Sequence, residues 1–96
     1  MIPPIGDDCR DTAVRHPDAA LVRTARTGDT AALAALMEQT YPALTRFCTR
    51  LVGSGTAQDL AQETVFRAVA ALDDLRDPRR FSAWLFGIAT NVARRW

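Results

Sequence analysis

TAALAALMEQTYPALTRFCTRLV, residues 30–52, decides the fold class, because its apolar side chains recur every three or four residues over several helical turns. The members of this stripe are Leu33, Leu36, Met37, Tyr41, Leu44, Phe47, Cys48, Leu51 and Val52. Pro42 falls inside the segment but projects away from the stripe, which predicts one kinked helix rather than two separate helices. This helix begins near Asp29 and Thr30, and the glycine-rich residues 53–55 end it.

A short helix and an arm precede this segment. Asp18 can cap the helix, which runs to roughly Thr27 and has Gly28 as its stop signal. Residues 1–17 contain three prolines and three aspartates, and they show neither the helical nor the strand period. They predict a flexible N-terminal arm, so the folded domain covers residues 18–96.

Two more helices are predicted after the glycine-rich residues. The stretch Thr56-Ala57-Gln58-Asp59 fits a capping box that opens a third helix, which runs to about Leu72 or Leu75. An aspartate-rich break ends at Pro78, which is tolerated in the first turn of a fourth helix. One face of that helix carries Phe81, Trp84, Leu85, Ile88, Val92 and Trp96. No strand pattern occurs, so the predicted fold class is all-α, a compact bundle of about four helices.

Composition narrows the class of protein. With 96 residues, 48% hydrophobic and 24% charged, the chain can build one small core and is neither a fibrous nor a wholly disordered sequence. No apolar run approaches the ~18 residues that span a bilayer, and the N-terminus lacks the basic-then-apolar order of a signal peptide. We therefore expect a cytoplasmic protein that does not contact membranes.

The residues that usually carry catalysis or bind metals are too few and too scattered here. Cys9 and Cys48 lack metal-ligand spacing and His16 is the single histidine, so we expect free thiols and no metal site. The carboxylate pairs at residues 7–8 and 73–74 fall in the arm and at a helix end, where solvated acids are common. Phosphate-binding loops and nucleophile motifs are absent from the sequence. We expect neither an enzyme nor a cofactor.

The charge is unevenly distributed although the net charge is only +1. All twelve basic residues are arginine. Residues 56–75 contain four acidic residues and one arginine, whereas residues 76–96 contain five arginines and one aspartate. An acidic segment is therefore followed directly by a basic one.

The third helix has two different sides. At about 100° per residue, its predicted core side carries Ala61, Val65, Ala68, Val69 and Leu72. The opposite side carries Asp59, Gln62, Glu63 and Phe66. One interpretation is structural: Asp59 caps, Glu63 pairs with Arg67, and Phe66 touches another helix. The other is a protein-binding surface with Phe66 at its centre.

The fourth helix also has a distinctive flank, which carries Gly87, Thr90, Asn91 and Arg94. Glycine permits close approach of a partner, asparagine can hydrogen-bond a base, and arginine can neutralise a phosphate. Arg79 and Arg80 would extend this positive track at the other end of the helix. The alternative is a solvated, arginine-rich face. Trp84 is expected in the core.

Two strings together resemble region 2 of the bacterial RNA polymerase sigma factors of the extracytoplasmic-function (ECF, group IV) type. They are DLAQETVFRA at residues 59–68 and FSAWLFGIATN at residues 81–91, and the resemblance extends over residues 18–96. It implies that the third helix docks on the clamp coiled coil of the polymerase β′ subunit. The candidate polymerase-binding residues are Asp59, Gln62, Glu63, Phe66 and Arg67.

The resemblance also implies that the fourth helix and the loop before it recognise the promoter minus-ten element. In that family an unstacked base of the non-template strand is captured, and melting begins there; the loop at residues 73–80 would help form the pocket. Asn91 would contact a base, while Arg94 and Arg95 would hold phosphates. The candidate DNA-binding residues are Arg76, Arg79, Arg80, Gly87, Thr90, Asn91, Arg94 and Arg95.

This sequence departs from the family pattern at two positions. Gly87 stands where many relatives carry arginine or lysine, and Trp84-Leu85 stands where primary sigma factors have two adjacent tryptophans. The family's helix-turn-helix domain, which reads the minus-thirty-five element, is not in this chain. The last residues, 94–96, lack a helix terminator, so we expect a piece of a longer protein. The resemblance further implies an anti-sigma partner, and we expect the isolated domain to be monomeric.

Two other functions stay open from the sequence. A helical module could bind polymerase or an anti-sigma factor without reading DNA, which the missing cation at Gly87 favours. A repressor that binds duplex DNA could instead place Asn91 and Arg94 in a major groove.

Overall fold

The computed structural model describes residues 18–96, and within that range the chain is helical with no strand. Its elements are α1 (Ala19–Arg26), α2 (Thr30–Val52), α3 (Ala57–Ala71), a first 3-10 turn (Leu72–Asp74), a second 3-10 turn (Pro78–Arg80) and α4 (Phe81–Arg95). The predicted all-α bundle of about four helices is confirmed. The predicted arm, residues 1–17, lies outside the described residues.

Aspartate caps start the first two helices, as the sequence predicts. The backbone N–H of Ala20 donates to Oδ1 of Asp18 at 2.9 Å, and that of Ala32 donates to Oδ1 of Asp29 at 3.0 Å. Each carboxylate thereby satisfies one of the backbone donors that a helix N-terminus leaves free.

The capping box predicted at the start of α3 is wrong in its hydrogen bond, although Thr56 does occupy the N-cap position. Its hydroxyl donates backwards, to the carbonyl oxygen of Val52 at 3.2 Å. That carbonyl belongs to the last turn of α2, which has no helical donor for it. Thr56 therefore satisfies the end of one helix instead of the start of the next.

The long helix α2 is central to the bundle, because it packs against α1, α3 and α4. It is continuous through Pro42, which is exposed, as predicted. Its buried face includes Leu36, Leu44 and Cys48. Thr40 is also buried on this face, which the apolar pattern did not predict, and its hydroxyl donates to the carbonyl oxygen of Leu36 at 2.9 Å. This local bond makes burial of the hydroxyl tolerable.

The core is built from all four helices and from the segment between α3 and α4. Its largest fully buried apolar side chains are Val22, Leu36, Leu44, Leu60, Phe81 and Leu85. Each contributes about 1.5–3 kcal/mol relative to an exposed side chain, which is the range for a fully buried large apolar group. Leu75 is also buried and anchors the connection that precedes α4.

Three apolar residues predicted to be in the core are exposed. Leu51 in the last turn of α2 is 40% exposed, Val69 on α3 is 41% exposed, and Trp96 is 55% exposed. Val69 follows buried Ala68 and is therefore rotated by about 100° from it, away from the core. Trp96 is the C-cap residue just beyond the end of α4.

Cys48 is buried and free, as predicted for this residue. Burial raises the pKa of its thiol, because the charged thiolate loses solvation. Cys9 lies outside the described residues.

We predict that replacing Gly53 with alanine destabilises the domain by about 1 kcal/mol or more. Gly53 has φ +86° and its N–H donates to the carbonyl oxygen of Thr49 at 2.8 Å, so it ends α2 in a conformation that strains any residue with a Cβ. Gly55 is the matched control, because its φ is not positive. Urea denaturation of both variants measures the difference, and an equal loss for Gly53→Ala and Gly55→Ala would contradict the prediction.

Candidate nucleic-acid and protein interfaces

The outward face of α3 carries the residues that the resemblance assigns to polymerase binding. Asp59 and Gln62 are exposed, and Glu63 is half-buried. Phe66 is 73% exposed, which makes it the most exposed large apolar residue of the described chain. Asp59, Gln62 and Phe66 point away from the core of α3, as the helical period predicts. This face therefore presents one exposed aromatic ring among acidic and amide side chains.

Glu63 and Arg67 form an ion pair along this face. The Nε of Arg67 donates to Oε2 of Glu63 at 2.7 Å, and both side chains remain accessible to solvent. A helical pair at this spacing contributes only about 0.2–0.5 kcal/mol. Its main consequence is geometric, because it holds the Glu63 carboxylate alongside the helix.

Val69 belongs to the same exposed surface, so the prediction that it lies on the core side of α3 is wrong. It lies one turn after Phe66, so the two side chains are neighbours on α3. An apolar groove of about 340 Å³ lies between α2 and α3 and is lined by Met37, Glu38, Tyr41, Pro42 and Val65. The three-residue spacing between Phe66 and Val69 could have predicted from the sequence that their side chains are neighbours on one face.

A cavity of about 330 Å³ opens where the loop after α3 meets the start of α4. Its lining residues are Asp74, Leu75, Arg76, Asp77, Arg80, Ala83 and Trp84. Trp84 is half-buried rather than fully in the core, and its ring centroid lies 5.9 Å from that of Phe81. One wall of the cavity is therefore an indole, and the rim carries two arginines. A volume near 300 Å³ is at the lower end for a small-molecule pocket.

Arg79 does not line this cavity, and it is paired within its own turn. Its Nε donates to Oδ1 of Asp77 and its Nη2 donates to Oδ2, both at 3.2 Å. The backbone N–H of Arg79 also donates to Oδ1, at 3.0 Å, so Asp77 caps the second 3-10 turn. These bonds lower the pKa of the Asp77 carboxyl and raise the pKa of the Arg79 guanidinium. Three arginines before α4 were predicted to bind DNA: Arg76, Arg79 and Arg80. Among the described residues, Arg79 is the one of these three whose guanidinium is hydrogen-bonded to a carboxylate.

The outer face of α4 is open and polar. Gly87, Asn91 and Arg94 are exposed, and a Cβ at Gly87 would meet no atom within 4 Å. Thr90 is half-buried, and its hydroxyl donates to the carbonyl oxygen of Phe86 at 3.0 Å. The predicted grouping of these residues on one flank of α4, away from the core, fits their exposure. A planar group can approach the helix at Gly87 without obstruction.

Arg94 and Arg95 lie in the last turn of α4, and both are exposed. Cations at this end of a helix interact favourably with the helix dipole, so the two arginines also stabilise α4. They extend the positive charge of the face toward the end of the chain.

Within residues 18–96 no group of three or more His, Cys, Asp or Glu side chains could hold a metal ion. None of the helices of this region is long and apolar enough to cross a membrane.

Comparison with known proteins points to one family. Residues 36–96 match the family model described as sigma-70 region 2. The chain is 33% identical over 72 residues to the ECF RNA polymerase sigma factor SigW of Bacillus subtilis, an alignment that covers 74% of this chain and 38% of SigW. It is 33% identical over 79 residues to the ECF RNA polymerase sigma-E factor of Escherichia coli, covering 82% of this chain and 41% of that protein. The chain thus spans about two fifths of the length of these relatives.

A solved structure has the same fold. The NMR structure of an engineered region 2 of sigmaE, in complex with GTAAAA, superposes with a TM-score of 0.74 at 34% sequence identity. The similarity covers 82% of this chain and 83% of that one, so it extends over most of the bundle rather than one motif.

We predict that the Asp77–Arg79 pair makes a contribution to stability that disappears only in acid. Because the pKa of Asp77 is lowered in the folded state, this contribution is complete above the ordinary aspartate pKa and is lost as the pH falls through the lowered value. Urea midpoints of Asp77→Asn and of the unaltered chain should therefore differ at neutral pH and converge in acid. Asp73→Asn, at an exposed carboxylate four residues earlier, is the control. A difference that is independent of pH would contradict the prediction.

Proposed function

The chain belongs to the sigma-70 region 2 family of ECF RNA polymerase sigma factors, and on that premise we propose that it docks on the polymerase β′ clamp coiled coil and reads the promoter minus-ten element. It acts by binding rather than by catalysis. The observation that carries this proposal is the position of the Trp84 cavity beside the open face of α4.

The cavity and the open face are continuous along one helix. Ala83 and Trp84 line the cavity, and Asn91 lies two turns after Trp84 on the same flank of α4. A base turned into the cavity would meet the indole of Trp84, while the next base along the strand would lie over Gly87 and within reach of the Asn91 amide. Arg76 and Arg80 at the rim would face the phosphates on either side of the captured base.

The energies of base capture are compatible with such a site. Removing one base from the stack costs a few kcal/mol, and stacking on an aromatic side chain returns about 1–3 kcal/mol per base. Hydrogen bonds from Asn91 and charge contacts from exposed arginines would supply the rest. Capture then holds the strand open at that step, so strand separation begins there. The engineered region 2 of sigmaE was solved in complex with GTAAAA, which supports a nucleic-acid role for this fold.

The outward face of α3 is the surface proposed to dock on polymerase. Its exposed carboxylates and Phe66 would bind a basic, partly apolar surface, as the centre of a protein interface usually combines an aromatic anchor with a polar rim. Val69 extends this anchor toward the groove at Tyr41. The two activities occupy separate helices, so polymerase and DNA can be bound at once.

Opposite charges on α3 and α4 also separate the two partners. The acidic face repels phosphates and the basic face attracts them, so DNA is steered to α4 and away from α3.

The full protein would function in the cytoplasm on polymerase, with an anti-sigma factor as its regulator, and its remaining domain would read a second promoter element.

Asn91→Ala should abolish base preference while leaving most of the affinity for single-stranded DNA. The reason is that the amide contacts a base edge, whereas the arginines contact phosphates that every sequence shares. Binding to single strands with randomised bases measures the preference. Arg94→Ala is the contrasting variant: it should weaken all sequences alike and reduce the salt dependence by about 0.7 in slope. Unchanged base preference in Asn91→Ala would refute the assigned base contact.

Phe66→Ala should weaken binding to the isolated β′ clamp coiled coil by about tenfold or more, since exposed aromatic anchors typically contribute ~2 kcal/mol to an interface. Stability should hardly change, because the ring is 73% exposed. Leu51→Ala, which removes an exposed apolar side chain from α2, is the control.

The same binding measurements distinguish the alternative functions. Clamp binding without any strand selectivity would favour the protein-only module, and preference for intact duplex DNA would favour the repressor.

A further inference from the structure

An aromatic stack connects α2 to the nucleic-acid face of α4. The rings of Phe47 and Phe86 lie parallel within 12°, with centroids 4.7 Å apart. The guanidinium carbon of Arg50 lies 5.8 Å from the centroid of the Phe47 ring. Such cation–π contacts are weakly attractive at exposed sites. Arg50 of α2 therefore contacts the same ring that stacks on Phe86 of α4.

The Arg50 charge is not offset by an acid. Its side chain is exposed, and within residues 18–96 no carboxylate lies at ion-pair distance from its guanidinium. This distinguishes it from Arg67 and Arg79, whose charges are paired with Glu63 and Asp77. All the polar hydrogens of the guanidinium remain available to an anion.

The position of the stack continues the surface on which the strand is proposed to lie. At about 100° per residue, Trp84 and Asn91 lie on one flank of the outer face of α4, Phe86 and Thr90 lie on the other, and Gly87 lies between them. Because Gly87 has no side chain and no atom lies where a Cβ would point, a strand can cross α4 there. It would leave the helix over Phe86, on the side where the stack presents Arg50.

We propose that Arg50 is a further phosphate-binding residue, which holds the backbone of the single strand after it has crossed α4 at Gly87. This inference rests on the proposed function, since it extends the path of the same strand. Arg50 contacts no base, so it contributes affinity and salt dependence without sequence preference. Its planar guanidinium is suited to the role because one side can stay on Phe47 while its edge binds phosphate oxygens.

The test titrates the full chain with a labelled single strand that carries GTAAAA between oligothymidine flanks, at a series of KCl concentrations. Arg50→Ala should weaken binding by about three- to tenfold at low salt and reduce the slope of log affinity against log salt by about 0.7. Arg50→Gln, which keeps most of the side-chain length, should behave like alanine. Arg50→Lys should keep the slope, because the charge is retained. The ratio of affinities for GTAAAA and a scrambled hexamer should be unchanged in all three variants.

Each outcome either supports the inference or overturns it. A lower melting temperature in Arg50→Ala with unchanged affinity and slope would mean that Arg50 only covers Phe47, which overturns the inference and leaves the proposed function intact. A changed base preference would also overturn it. If the unaltered chain binds no single strand, the proposed function and this inference both fail. If Arg50→Ala loses affinity and slope while its melting temperature is retained, the phosphate contact is supported.

Discussion

Burial of α2 is the interaction on which the rest of the structure depends. This helix places Leu36, Leu44 and Cys48 against α1, α3 and α4, so its burial holds together helices that are too short to be stable alone. Because α3 and α4 use their inner faces for this core, only their outer faces remain for partners. The two proposed interfaces therefore lie on the helix faces that the core leaves exposed.

The same packing separates the two charges of the chain. The acids of α3 and the arginines of α4 are close in sequence, yet the helices present them on different outer faces. The fold presents an acidic, aromatic surface on α3 and a basic surface on α4, which is the arrangement that the proposed binding of two partners requires.

Local geometry distinguishes the arginines proposed to contact DNA. Arg79 is hydrogen-bonded to Asp77 within its own turn, whereas Arg76 and Arg80 line the cavity. Arg50 comes from another helix and contacts Phe47, whose ring stacks on Phe86. Gly87 contributes space rather than charge, because no atom lies within 4 Å of where its Cβ would be. Counting cations along the sequence would have treated all these arginines alike.

The sequence by itself determined the helices, their capping aspartates, the glycine stops and the exposed position of Phe66, because these follow from local hydrogen bonding and from the helical period. The paired strings also predicted the family. The sequence also holds three local features that were found only in the structure, namely Val69 beside Phe66, the Thr56–Val52 bond and the Asp77–Arg79 pair. The tertiary structure decided which helices pack together and which faces stay exposed. It alone placed Phe47 of α2 on Phe86 of α4. The physical reason is that the period of one helix fixes which residues share a face, whereas contacts between helices depend on how those faces pack.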